Sequence, residues 1–144
     1  MMNLSTQNKH TLLIAVNQMI EEQATGCAQT VFLGQEAPLA YPPNGGFTTE
    51  EAKALQSLRG NEPLQAALRK LLADCAAGVV FDLLNLLDGT ADPKQGQWGG
   101  VVLVDALTND DEQREFLHDG LFDAYWDWRE IRPDKTWQLD LLPE

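Results

Sequence analysis

The chain has 144 residues, 44% of them hydrophobic and 22% charged, with a formal net charge of -12. That composition is globular rather than disordered, and the length suits a single domain over residues 1–144. So acidic a chain lacks the basic face that phosphate binding needs, which excludes DNA and RNA and also docking on an anionic membrane surface. No apolar run approaches the ~20 residues of a membrane span. The start, Met1 to His10, lacks the basic-then-apolar pattern of a signal peptide and is expected to be flexible. Two cysteines, Cys27 and Cys75, are too few for a disulfide scaffold, so a reducing cytoplasm is the expected compartment.

The first element is an amphipathic helix over Thr11–Thr25. Leu12, Leu13, Val16, Met19 and Ile20 recur at helical spacing, and Gly26 stands where a C-terminal cap belongs. Residues 27–33 are rich in β-branched and aromatic types and are expected to form a short strand. Residues 34–47 hold Pro38, Pro42, Pro43, Gly45 and Gly46, which makes a surface loop. Thr48 and Glu51 then have the spacing of a capping box, opening a second helix that runs to about Arg59. Asn61 caps a third helix with Pro63 in its first turn, where the missing N–H costs nothing.

The third helix is the longest, ending near Asp88 before Gly89, with Gly78 as a candidate break. Leu64, Leu68, Leu71, Leu72 and Cys75 form one apolar stripe, so Cys75 is expected to be a buried, inert thiol. From Val79 to Leu87 it is apolar nearly all round, as suits a helix surrounded by other elements. Val101-Val102-Leu103-Val104 gives the clearest strand, with burial expected on both faces. A fourth helix runs from about Thr108 to Arg132, and the alternating tail with Trp137, Leu139 and Leu141 is a possible edge strand. The expected architecture is mainly helical α+β, with about four helices and a small two- or three-stranded sheet.

The chemistry is limited. The chain has two serines, Ser5 and Ser57, neither in a nucleophile turn. No glycine-rich loop leads into a helix with a following lysine, so a phosphate-binding loop is excluded. The cysteines form no Cys-x-x-Cys pair, and no usual zinc site is expected. No cofactor is expected either. His118 has only Glu115 at a helical ligand spacing, which makes the pair a weak metal candidate. Asp82 is flanked by apolar residues on the third helix. If buried, it must be paired or shift its pKa, which is how a pocket acid or base is built.

Residues 111–132 carry the most information. On a helical wheel Leu117, Leu121, Ala124, Tyr125, Trp128 and Ile131 share one side, the expected core face. Glu112, Glu115, Asp119, Asp123 and Glu130 share the other, with Asp127 at its edge. Like charges spaced i, i+4 repel by a few tenths of a kcal/mol per pair, so local stability does not ask for this stripe. Trp126 falls within the acidic face and Phe122 at its margin, a pattern of aromatic groups ringed by charge that suits a binding surface. The net charge is -8 over residues 105–144 and -4 over residues 1–104. Such asymmetry speeds docking of a basic partner.

Phe81-Asp82-Leu83-Leu84-Asn85-Leu86-Leu87-Asp88-Gly89, Trp98-Gly99-Gly100-Val101 and Leu117-His118-Asp119 together resemble small acidic bacterial cytoplasmic proteins of unassigned function. Some of these are immunity proteins of toxin–immunity pairs. The resemblance covers roughly residues 75–132 and carries no catalytic motif. It implies a non-enzymatic protein that blocks a cognate toxin, often a basic nuclease. The leading expectation is therefore a binding module whose contact residues are Glu115, Asp119, Phe122, Asp123, Trp126 and Glu130. The alternative is a small metal-binding protein or hydrolytic enzyme built on Asp82, His118 and nearby carboxylates. A homo-oligomeric subunit is a third option, through a face other than the acidic one.

Overall fold

A computed structural model describes residues 4–105, 124–131, 133 and 135. Four helices follow in chain order: α1 (Thr6–Leu33), α2 (Thr49–Gln56), α3 (Glu62–Asp88) and α4 (Ala124–Ile131). The described residues contain no β-strand. Gly45 and Val104 are isolated bridge positions only. The described fold is thus mainly helical, which corrects the expected α+β sheet, and the expected edge strand at residues 137–141 lies outside the described residues.

The first correction lies in α1. It has 28 residues, so it is ~42 Å long. It passes through Gly26 and absorbs the segment 27–33 expected as a strand. Packing overrides the β-leaning composition there. Ala24 and Ala28, 2% and 1% exposed, continue the helical face onto α3. Thr30 fits the helix by donating its hydroxyl to the Gly26 carbonyl at 3.0 Å. The cap is Gly34, in the left-handed region at φ 64°, with its N–H turned back to the Thr30 and Val31 carbonyls. The start also moves: Ser5 is the N-cap, so residues from Thr6 onward are helical and His10 lies exposed on α1.

The caps read from the sequence are present in α2 and α3, and the expected start of the fourth helix at Thr108 lies outside the described residues. Thr48 Oγ1 accepts from the Glu51 N–H at 3.2 Å while Glu51 Oε2 accepts from the Thr48 N–H at 2.7 Å. Asn61 Oδ1 accepts from the Leu64 N–H at 3.0 Å. Gly89 closes α3 in the left-handed region at φ 69°. Helix α2 ends at Gln56, and a turn through Gly60 replaces its expected last residues. Helix α3 does not break at Gly78.

Helices α1 and α3 run antiparallel. At one end the Gly60 N–H donates to the Phe32 carbonyl at 2.9 Å, and Gln65 Nε2 donates to Gln29 Oε1 at 2.5 Å. Further along, Ala24 and Thr25 stand beside Arg69 and Ala73. Small side chains at this seam let the two helices approach closely. The core of the described residues is accordingly thin: Ala24 and Ala28 are buried in the seam, and Pro42 is buried in the loop after α1.

Residues 101–105 return the chain to the start of α1. Val101, Val102 and Val104 are exposed, which corrects the expected doubly buried strand. No neighbouring strand among the described residues pairs with them, and Gly100 at φ 84° turns the chain just before them. Asp105 Oδ1 accepts from Asn8 Nδ2 at 2.8 Å and from the Ser5 N–H at 3.2 Å. The Asn8 amide, then the Ser5 donors, hold its carboxyl below the usual carboxylate value of 3.8. Helix α1 has no acidic residue in its own first turn, so Asp105 supplies that charge from elsewhere in the chain. No helix among the described residues is long and apolar enough to cross a membrane.

Candidate functional site

The acidic face divides between two parts of the chain. Glu115, His118, Asp119, Phe122 and Asp123 lie outside the described residues. Helix α4 holds the rest. Asp127 and Glu130 are exposed, and Trp126 is half-buried. Trp126 and Glu130 are one turn apart, so the indole and the carboxylate share a face of α4. Lys135 Nζ donates to the Glu130 carbonyl, which satisfies an orphan acceptor at the end of the helix. Ile131, expected on the core face, is 56% exposed.

Asp82 departs from its expected setting. It is exposed on α3, not buried among leucines. The apolar neighbours that suggested burial, Phe81 and Leu83, are themselves exposed. Convergence of Asp82 with His118 lies outside the described residues. Cys75 is also exposed, against the expected buried thiol, and so is Cys27. Among the described residues no three His, Cys, Asp or Glu side chains are grouped as metal ligands.

A cleft of about 450 Å³ lies between the end of α1, the loop after it and α2. Val31, Pro38, Phe47, Ala52 and Leu55 make its apolar lining. Glu36 is the one titratable side chain among the lining residues. With that mainly apolar lining among the described residues, the cleft suits an apolar group. The sequence carried a signal for it. Phe47 precedes the Thr48 cap and Ala52 is the fourth helical residue, the spacing of a hydrophobic staple. Both line the cleft.

A shallower groove follows the seam of α1 and α3. Its floor includes Ala24 and Ala73, and Glu21, Arg69 and Lys70 stand on its walls. Opposite charges on the two walls leave it with no strong preference for an ion of either sign. The remaining feature is apolar: Leu71, Val79, Phe81 and Leu83 of α3 are each more than half exposed. The expectation that the second half of α3 is surrounded fails among the described residues, because α1 covers one side of it only.

No family model matches the chain, and no curated protein and no solved structure is significantly similar to it.

Proposed function

We propose that the chain is a non-enzymatic protein-binding module that docks a basic partner on its acidic C-terminal third. The observation that carries this reading is the distribution of charge: -8 over residues 105–144 against -4 over residues 1–104. Glu115, Asp119, Asp123 and Glu130 form the charged surround, with Phe122 and Trp126 as aromatic anchors. Charge of one sign concentrated on one segment raises the encounter rate with a partner of the other sign and makes binding salt-dependent. Exposed Asp127 and Glu130 beside the Trp126 indole are consistent with that role. Binding would act by covering the partner's own functional surface, and an immunity protein that occludes a basic toxin is the most specific form of this reading.

The test is charge reversal. Asp119→Lys combined with Asp123→Lys should weaken binding to the partner at least tenfold, chiefly through slower association. The helical circular dichroism should be retained. Unchanged binding by the double variant overturns the proposal. Trp126→Ala should instead speed dissociation, because an anchor in a desolvated contact governs residence time.

A further inference from the structure

The cleft between the end of α1, the loop after it and α2 joins apolar walls to polar groups that mostly accept. Val31, Pro38, Phe47, Ala52 and Leu55 form the walls, and a volume of about 450 Å³ lies in the range of small-molecule sites. The Thr30 hydroxyl gives its hydrogen to the Gly26 carbonyl at 3.0 Å, so it meets a ligand only with its lone pairs. The Gly34 N–H is engaged by the Val31 carbonyl at 3.1 Å and the Gln35 N–H by the Thr30 carbonyl at 3.2 Å. The exposed Glu36 carboxylate is an acceptor only. The side-chain amides of Gln35 and Gln56 can turn either way.

Two features give the cleft a negative potential. Glu36 is the one charged side chain in its lining. The lining also takes in the last turn of α1, through Thr30 and Val31, and the Gly34 cap. A long helix carries about half a negative charge at this end, and α1 has no basic residue in its last turn. Arg59 stands beside the cap, where its stem would meet a Cβ at Gly34 at 3.0 Å, but neither Arg59 nor Lys53 of α2 lines the cleft.

We propose that the cleft binds a small organic ammonium: a primary amine, protonated at neutral pH, on an aromatic or branched apolar body. The body displaces water from Val31, Phe47 and Leu55. The ammonium has three donors and no acceptor, which matches a site whose backbone donors at Gly34 and Gln35 are already engaged. A carboxylate or phosphate ligand would meet no cation in the lining and a like charge at Glu36. A metal ion would find one carboxylate and apolar walls, too few oxygen ligands to hold it. A neutral molecule of the same shape keeps the apolar contact and gains nothing from the charge. The site is built from residues 30–56 and so is independent of partner docking on the acidic C-terminal third.

The experiment is titration calorimetry of the full chain with three ligands of similar shape: tryptamine, a cation; tryptophol, neutral; and indole-3-propionate, an anion. Tryptamine should bind about fivefold more tightly than tryptophol, as suits a charge pair open to water, and indole-3-propionate more weakly than either. Glu36→Gln should cut the tryptamine advantage to twofold or less and leave tryptophol binding unchanged. A chain of net charge -12 attracts any cation, so the place of binding is read separately. Amide NMR shifts on adding tryptamine should centre on residues 30–38 and 47–56. Ala52→Trp, which fills the cleft, should abolish them with the helical circular dichroism retained. No binding of tryptamine overturns the proposal. So does an advantage over tryptophol below twofold, which would make the cleft a site for apolar groups of any charge. An advantage above twofold in Glu36→Gln, or shifts that centre elsewhere or survive Ala52→Trp, also overturns it.

Discussion

Asp105 lies 97 positions from Asn8 and is joined to it through a 2.8 Å hydrogen bond from the Asn8 side-chain amide. Asn8 in turn gives its backbone N–H to Ser5 Oγ at 3.3 Å, so the N-cap and the distant carboxylate share one end of α1. This junction ties residues 101–105 to a helix whose first turn has no acid of its own.

Asp105→Asn should lower the melting temperature slightly at neutral pH. The native carboxyl is held below its free value of 3.8, so its contribution is complete above that value and is lost as pH falls through the lower, folded value. The difference between native and variant chains should therefore vanish in thermal melts taken well below pH 3.8. A difference that persists there would mean that Asp105 acts through shape and not charge.

Gly26 and Gly34 should respond in opposite senses to alanine. Nothing stands within 4 Å of a Cβ at Gly26, so Gly26→Ala should stabilise α1 by ~0.8–1 kcal/mol. Gly34 sits at φ 64° and a Cβ there meets Arg59 Cδ at 3.0 Å. Gly34→Ala should destabilise by ~1 kcal/mol or more. Urea titrations of the two variants decide the matter, and reversed signs would restore the shorter helix.

That pair also locates where the sequence misled. A glycine after an amphipathic run is a fair stop signal, and Gly26 met it. What carried the helix on to Leu33 is the seam with α3, where Ala24 and Ala28 fill the space between two close backbones. Tertiary packing of this kind has no local signature. Strictly local features were legible: the Thr48–Glu51 box, the Asn61 cap, Pro63 at the start of α3 and Gly89 at its end. The exposure of Asp82 and Cys75 was not, because apolar neighbours in sequence implied burial that their surroundings in space do not supply. The acidic stripe from Glu115 to Glu130 was read by periodicity, and of its residues Trp126, Asp127 and Glu130 are placed.

Thr48→Ala removes one half of a reciprocal cap and should cost ~1 kcal/mol. Asn61→Ala should cost a similar amount at the start of α3. In urea both variants should shift the midpoint without changing the slope, since neither alters the area exposed on unfolding. A changed slope would show that the caps organise more than their own helices.

Ala28→Leu tests the seam. Ala28 is 1% exposed beside Gln65 and Ala66, so the added carbons must push α1 away from α3. Overpacking at a close contact costs ~1–3 kcal/mol. The Gln29–Gln65 hydrogen bond should be lost with it, and amide exchange near Gln29 should quicken. An unchanged melting temperature would mean that the helices are not in close contact.

The most direct test of the binding proposal is capture by the tagged chain from an extract of its source cell, at low and then high salt. A parallel capture uses the Asp119→Lys, Asp123→Lys variant. The account predicts one basic protein retained by the native chain at low salt, released at high salt and absent from the variant. Nothing retained at either salt, or a protein held equally by the variant and at high salt, would contradict it.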